Sequence, residues 1–398
     1  MGVARTKLNG LIFYQPSICC NGYTLFAPMD GRKVYLIDMQ GNTVRQWRIP
    51  CSLGGTCELL PNSNLLCPGK VGDSPVAHLE GTTGHIFEMD RDNNIVWEYK
   101  EPHLHHNIRR LENGNTLVLK YIHVPPDVAS RVKGGVGETA DPMWADAIQE
   151  IDTSGKAVWE WVAYEHLDPE KDTICPICRK SEWTHATSVD VVDDDKLLVT
   201  FMRIHMVMMI SRKTGEVTWR WGQGELAHPN EARMLHNGNV LVLDNGRHAP
   251  GIGLGFSRLI EVNPGNGAMV WSFQERIPFD FYTCFMGSVQ RLRNENCLVC
   301  EAVTGRIFEI TPHGDLAWEF VNPHRHKGTP EWGKHNFVYG ARRYDHQDAS
   351  VADEALIKAM ETMKTQYRND TSKVAQKVAA TASSEEDKVR SRLADLGY

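Results

Sequence analysis

Short apolar segments alternate with polar turns along most of the chain, and the same order recurs six times. Each unit contains an apolar strand, a turn rich in Asn and Gly, a second strand, and then a polar turn that leads into a strand containing Trp. Apolar segments of this length, bounded by turn residues, predict β-strands. The Trp residues that end the six units are Trp47, Trp97, Trp159, Trp219, Trp271 and Trp318.

The spacing of these units predicts the architecture. Repeats of about 40–50 residues, each with four strands, are typical of propeller blades. Turns such as Asn113-Gly114 and Asn237-Gly238 are strong hairpin signals, because both residue types tolerate a positive φ. Two longer repeats predict insertions at about 125–143 and about 165–182. We therefore predict an all-β fold, a six-bladed β-propeller over residues 1–345.

The end of the chain has a different pattern. A run at 335–344 predicts a β-segment that closes or caps the ring. From Ala349 onward, Ala, Glu, Lys, Met and Leu recur at helical spacing with few Pro or Gly. This predicts a C-terminal helical extension over 349–398, which is either a solvated arm or a contact in a homo-oligomer.

Composition narrows the function classes. The chain has 398 residues, of which 41% are hydrophobic, and a formal net charge of −7 without a long basic block. Nucleic-acid and anionic-membrane binding therefore have no electrostatic support. No apolar segment approaches the roughly 18 residues needed to span a bilayer, and the first residues lack the apolar centre of a secretory signal. We expect a cytoplasmic protein with mostly reduced cysteines.

Nitrogen-bearing side chains fall at matching positions in blades three to five. In a propeller, the start of the innermost strand and the end of the second strand lie at the same mouth of the channel. Counting from the turns gives one set at the start of the innermost strands: His106, His185, His228 and Asn230. A second set lies at the end of the second strands: His123, Arg203 and Arg247. We predict that both sets converge on one channel mouth.

Two chemistries suit such a cluster. In the first, the imidazoles of His106, His185, His228 and His248 are candidate ligands for Zn, Cu, Mn or Fe. A metal with an open position would polarise a substrate oxygen for lyase, hydrolase or oxidase chemistry. In the second, an imidazole is a nucleophile or an acid and base, while arginine neutralises a sulfate or phosphate. Both predict a small aromatic or oxyanionic substrate, and no nucleotide cofactor is expected.

A cysteine pair lies in the second insertion, in Cys175-Pro-Ile-Cys178. Four ligands are usual for structural zinc, so one pair is half of a site. Cys175 and Cys178 are therefore candidates for a structural metal site, for a redox pair or for an ordinary loop.

Several segments resemble the arylsulfotransferase-like propeller family. Leu104-His-His-Asn-Ile-Arg-Arg-Leu and Trp183-Thr-His-Ala-Thr-Ser-Val are similar to its first two histidine segments, and the similarity covers about 103–344. Members are typically secreted enzymes that move a sulfuryl group between phenols through a channel histidine. The resemblance implies a phenolic substrate, His106 and His185 as site histidines, and Arg203 as a sulfate ligand.

One position departs from the family pattern. Asn230 stands where the family has its transferring histidine, and asparagine cannot carry a sulfuryl group. His106, His185, His228 and Arg203 are therefore the predicted catalytic residues, with His123, Asn230 and Arg247 as predicted substrate contacts. Three hypotheses stay open: a metal-dependent enzyme, an aryl sulfotransferase that is independent of PAPS, and a non-catalytic binding propeller.

Overall fold

Six antiparallel sheets form the blades of a β-propeller, as the repeats predict. The computed structural model describes residues 8–249, 255–328 and 333–345, so the predicted extension at 349–398 lies outside the described residues. Innermost strands of neighbouring blades contact each other from blade three through blade six to blade one. These contacts border the central channel.

The strands of each blade follow one another outward from the channel. Blade one consists of Val338–Asp345, Gly22–Pro28, Lys33–Ile37 and Thr43–Arg48, and blade two of Glu58–Leu59, Leu65–Lys70, Gly84–Met89 and Ile95–Lys100. Blade three consists of Leu104–Arg110, Thr116–His123, Trp144–Ile151 and Ala157–Val162, and blade four of Ala186–Val191, Lys196–Phe201, Met206–Ser211 and Val217–Trp221. Blade five consists of Pro229–Met234, Val240–Asp244, Arg258–Val262 and Met269–Phe273, and blade six of Ser288–Arg291, Cys297–Glu301, Arg306–Ile310, Leu316–Val321 and Gly10–Tyr14.

Both ends of the described chain close the ring. The strand Val338–Asp345 is innermost in blade one, where it pairs with Gly22–Pro28 in the register Tyr344 to Tyr23. The strand Gly10–Tyr14 adds a fifth strand to blade six. The C-terminal β-segment therefore closes the ring rather than capping it, and blade one combines strands from both ends.

The repeated Trp residues connect one blade to the next. Four of the six donate an indole N–H to a backbone carbonyl in the third-strand turn of the following blade. These bonds join Trp97 to Thr153 (2.9 Å), Trp159 to Arg212 (2.8 Å), Trp271 to Pro312 (2.8 Å) and Trp318 to Met39 (2.8 Å). The bond from Trp318 crosses the ring closure between blades six and one. This contact gives a physical reason for the repeat that the sequence displays.

We expect Trp318→Phe to destabilise the fold more than Trp47→Phe. Both indoles are buried, but the indole N–H of Trp47 has no hydrogen-bond partner among the described residues. Trp47→Phe therefore removes the same side-chain volume as Trp318→Phe but removes no inter-blade hydrogen bond. The free energy of unfolding, measured in urea, should fall by about 1 kcal/mol more for Trp318→Phe. Equal losses would contradict a stabilising role for this bond.

The two predicted insertions meet each other. The first contains the one-turn helix Pro126–Ala129 and the short strand Gly134–Val136, which pairs in parallel with Ile174–Arg179 of the second. A one-turn helix, Ala163–His166, precedes the second insertion, and the remaining short elements are Pro278–Asp280, Ala302–Thr304, His326–Lys327 and Lys334–His335. Within the described ranges, no helix is long and apolar enough to cross a bilayer.

Buried ion pairs join the innermost strands around the channel. Arg233 contacts Asp190 at 3.1 Å and Glu231 at 2.8 Å, and Arg342 also binds Glu231. Burial alone would raise the pKa of Glu231, but the charges of Arg233 and Arg342 lower it. The carboxylate therefore remains charged and links blades four, five and one.

Candidate functional site

A cavity of about 560 Å³ occupies one mouth of the channel. Every blade contributes to its wall near the start of its innermost strand. These contributions are Tyr339 of blade one, Gly55 of blade two, His106 of blade three, His185 of blade four, Asn230 of blade five and Gly287 of blade six. The cavity therefore brings together residues that are far apart in the sequence.

His106 is held by a chain of buried polar groups. Its Nδ1 lies 3.0 Å from Nδ1 of His105, and His105 Nε2 lies 3.0 Å from Oδ1 of Asp146. Among the described residues, these last two atoms form a close ionic contact rather than a hydrogen bond, and a carboxylate can only favour a proton on the nitrogen nearest to it. With the His105 proton on Nε2, His105 Nδ1 would accept from His106 Nδ1–H, which would leave a lone pair on Nε2 of His106. Burial, with the neighbouring His185 and His105, holds the pKa of His106 well below its usual value.

His185 lies beside His106 and has a different partner. The two ring centroids are 4.7 Å apart, with the rings nearly perpendicular. His185 Nδ1 binds the Glu182 carboxylate, which also accepts a 2.9 Å bond from Arg203. Burial alone would raise the pKa of Glu182, but His185 and Arg203 lower it to about 2. Glu182 is therefore an anion that faces His185 Nδ1 and Arg203.

The backbone is left-handed at these histidines. His106 has φ of 49° and His185 has φ of 55°, a region that residues other than Gly rarely occupy. Such strain is retained where the surrounding structure dictates a conformation, often at functional sites. Gly81 packs against the His106 ring so closely that a Cβ there would lie 1.9 Å from its Cε1. Gly81 and its carbonyl, which accepts from His106 N at 2.9 Å, fix the imidazole.

The other predicted site residues separate into cavity and support positions. Arg247 and Asn230 line the cavity, and the Asn230 amide donates to the Gly287 carbonyl at 2.8 Å. Arg203 contacts Glu182 behind His185 and is not part of the cavity lining within the described chain. His123 is exposed and packs on Trp144, with ring centroids 4.0 Å apart. The predicted convergence of both sets therefore does not extend to Arg203 or His123.

A second cluster contains Cys175, Cys178, His228 and His248. Their sulfur and ring-nitrogen atoms all lie within 4.8 Å of one another, so the group could hold a metal ion. His228 has φ of 58° and His248 has φ of 66°, as at the cavity histidines. Burial lowers the pKa of His228 to about 4, so its ring is neutral, as a metal ligand must be.

This arrangement corrects the expectation of one site that contains His106, His185, His228 and His248. The structure divides the four histidines into a cavity pair and a Cys–His cluster. His228 immediately precedes the strand Pro229–Met234, and the register shifts between Pro229 and Glu231. Asn230 therefore lines the cavity, whereas His228 contacts Cys178.

Three supporting residues were missed by the sequence reasoning. His105 adjoins His106, but counting from the hairpin turn selects His106 alone. Glu182 lies three residues before His185, a local spacing that could have been recognised. Asp146 comes from the strand Trp144–Ile151, and its only sequence signal is a carboxylate between apolar residues. The structure shows that this carboxylate is fully buried. Its proximity to His105 depends on the pairing of blade strands.

Comparisons with known proteins agree with this architecture. The family model described as Arylsulfotransferase (ASST) matches residues 19–237, which is more than half of the chain. No curated protein matches this chain.

One solved structure with low sequence identity shares the fold, and two others are similar to a lesser extent. A Bacteroides caccae protein of unknown function is 14% identical with a TM-score of 0.50, covering 81% of this chain and 98% of its own. A streptogramin B lyase is 11% identical with a TM-score of 0.45, covering 80% of this chain and 85% of its own. BamB from Moraxella catarrhalis is 13% identical with a TM-score of 0.36, covering 75% and 73%.

Proposed function

Because this chain belongs to the arylsulfotransferase (ASST) family, we propose that it transfers a sulfuryl group between small phenolic substrates, with His106 as the nucleophile. One observation carries the proposal: Asp146 Oδ1 lies 3.0 Å from His105 Nε2, and His105 Nδ1 lies 3.0 Å from His106 Nδ1, an arrangement that would place the lone pair of a neutral imidazole on His106 Nε2. Such a ring can attack sulfur without first losing a proton. Asn230 stands where the family has its transferring histidine, but it lacks a nucleophilic atom. His106 would therefore carry the sulfuryl group instead.

The transfer would proceed in two balanced steps. In the first, His106 Nε2 attacks the sulfur of an aryl sulfate, the bond from sulfur to the phenolic oxygen breaks, and protonated His185 gives its Nε2 proton to that oxygen. In the second, His185 takes the proton of an acceptor phenol, whose oxygen attacks sulfur while the N–S bond breaks. The Glu182 carboxylate, which contacts His185 Nδ1, would hold this ring in position to give and to take the proton.

Two cations of the cavity suit a sulfate ester. Lys70 and Arg247 line the cavity, and Lys70 also contacts Asp30 at 3.3 Å. The carboxylates that also line the cavity are Glu80 and Glu231, and Glu231 is paired with Arg233 and Arg342. Arg247 lines the cavity, where its guanidinium could bind sulfate oxygens through two parallel hydrogen bonds. These cations would stabilise the negative charge of the sulfuryl group during transfer.

Apolar groups of the same cavity suit an aromatic ring. Met29, Phe285, Met286 and Tyr339 line it beside the polar groups. A cavity of about 560 Å³ falls within the range of small-molecule sites, roughly 300–1,000 Å³. The combination of cations, imidazoles and apolar side chains supports an aryl sulfate as the donor.

Trapping the covalent intermediate tests the proposal. The protein is mixed with p-nitrophenyl sulfate without an acceptor, quenched in alkali to preserve the N–S bond, and analysed by intact and peptide mass spectrometry. We expect one sulfuryl group per chain, on His106, which is lost on addition of phenol as phenyl sulfate forms. Transfer without a modified histidine, or modification of another residue, would exclude His106 as the nucleophile.

Metal-dependent chemistry is the second candidate function. The observation that favours it is the cluster of Cys175, Cys178, His228 and His248, in which thiol and imidazole groups face each other. Arg247 adjoins His248 and lines the cavity, so a metal in the cluster would lie near bound substrate. If the metal is catalytic, replacing the native ion with Co²⁺ should change the activity. If His106 carries the sulfuryl group, the same replacement should leave the covalent intermediate unaltered.

A further inference from the structure

We propose that Cys175, Cys178, His228 and His248 form a structural zinc site that joins the blade-four insertion to blade five. The zinc site does not depend on the proposed sulfuryl transfer. Two thiolates and two imidazoles are a common ligand set for zinc, and four protein ligands complete a tetrahedral site without an open position. This distinguishes the site from a catalytic metal centre.

The distances between the ligand atoms fit a tetrahedral ion. With Zn–S of about 2.3 Å and Zn–N of about 2.0–2.1 Å, sulfur and nitrogen ligands should lie about 3.5 Å apart. Cys178 Sγ lies 3.3 Å from His228 Nε2 and 3.5 Å from His248 Nδ1, and Cys175 Sγ lies 3.5 Å from the same His248 atom. All of these separations allow one ion to contact every ligand.

Burial supports a site made for an ion. Cys175, Cys178 and His228 are buried, and His228 is only 1% exposed. Nδ1 of His228 has no hydrogen-bond partner among the residues that the structure describes, so its polar contact is through Nε2 to sulfur. Coordination through Nε2, the ring atom that faces Cys178 Sγ, would satisfy that atom and would leave Nδ1 as it is.

The ligands come from three separate segments. Cys175 and Cys178 lie on the insertion strand Ile174–Arg179, His228 precedes the innermost strand of blade five, and His248 follows the second strand of that blade. The chain between Cys175 and His248 spans most of two blades. An ion that binds all three segments would therefore link the insertion strand to blade five, two described elements that strand pairing does not join.

The site also lies next to two cavity positions. Asn230 is two residues beyond His228, and Arg247 immediately precedes His248, and both line the cavity. Fixing His228 and His248 would orient the part of the cavity wall that blade five supplies. This positioning role rests on the proposed function, because its effect is read in the binding of a sulfate ester.

Elemental analysis of the purified full-length protein is the first test. We expect about one zinc per chain, and loss of that zinc in Cys178→Ser and His228→Ala. Cys51→Ser and His236→Ala change the same residue types outside the cluster and should keep the ion. Protein without zinc that also fails to bind added Zn²⁺ would overturn the inference, as would a disulfide between Cys175 and Cys178 found by counting free thiols.

The wild-type protein provides a test that does not depend on how the variants fold. Removing zinc with a strong chelator should lower the melting temperature by roughly 5 °C or more, and added Zn²⁺ should restore it. Co²⁺ in place of zinc should give the visible spectrum of a tetrahedral ion with thiolate ligands. An unchanged melting temperature after removal, or an octahedral Co²⁺ spectrum, would contradict a structural tetrahedral site.

Failure of the two proposals can be told apart. Zinc content, melting temperature and the Co²⁺ spectrum are independent of catalysis. If the zinc is present but no sulfuryl group is transferred, the proposed function fails and the metal site stands. If transfer occurs in a protein that never binds zinc, the metal site fails alone. For a site that positions Arg247, removal of zinc should raise KM for the sulfate ester about tenfold with a smaller effect on kcat.

Discussion

Changing His106 to Asn should lower sulfuryl transfer from p-nitrophenyl sulfate to phenol by about 10³-fold or more. Asparagine has no nitrogen lone pair that can hold the sulfuryl group, so the covalent step is lost. Asparagine also tolerates the left-handed backbone at this position, where φ is 49°, better than most residues. The expected loss therefore reflects chemistry rather than backbone strain.

His123→Asn is the matched control for this change. His123 lies at the end of a strand in the same blade, but its ring packs on Trp144 outside the cavity. Transfer should remain within about twofold of the wild-type rate, measured as release of p-nitrophenolate together with formation of phenyl sulfate. A comparable loss in His123→Asn, or substantial activity in His106→Asn, would contradict the assignment of the nucleophile.

Asp146→Asn should reduce transfer by about 10²–10⁴-fold while the fold is kept, because it reverses the proton positions along the chain of histidines. Asp146 Oδ2 accepts from the backbone N–H of Ala186 at 2.8 Å and from the Thr184 hydroxyl. In the Asp146→Asn protein, that N–H requires the amide oxygen, so the NH₂ group must face His105 Nε2. His105 would then carry its proton on Nδ1, and His106 would carry its own on Nε2, where it blocks attack.

The pH profile separates this positioning role from a merely structural one. The pKa of His106 lies well below its usual value, so wild-type transfer should not lose its nucleophile as the pH falls through 6.5. The deficit of the Asp146→Asn protein arises from a tautomer rather than from a charge. It should therefore be the same at every pH above that range. A deficit that disappears at high pH, or a large fall in melting temperature, would count against the proton arrangement.

Several features of the fold follow from local sequence signals. The Asn–Gly turns and the repeated Trp predict the six blades because hairpins and blade ends depend on residues close in the chain. The closing β-segment was predicted from its own apolar pattern, but its innermost position in blade one depends on pairing with a strand some 300 residues earlier. That pairing has no local signal.

The candidate site was partly accessible from the sequence. Counting from the hairpin turns found His106, His185, Asn230 and Arg247, all of which line the cavity, because antiparallel strands of equal length bring equivalent positions to one mouth. The same counting also selected Arg203 and His123, which lie elsewhere. A register shift or a left-handed residue at the start of a strand redirects a side chain, and the residue types alone do not reveal it.

The sequence by itself determined the number of blades, the propeller fold and the resemblance to arylsulfotransferases, since each depends on patterns within about 50 residues. Only the tertiary structure decided which histidines act together. It separated His228 and His248 from His106 and His185. The first two lie with Cys175 and Cys178, whereas His106 is connected to Asp146 through His105. The physical reason is that metal ligation and proton placement depend on distances of about 3 Å, which contacts between distant segments set.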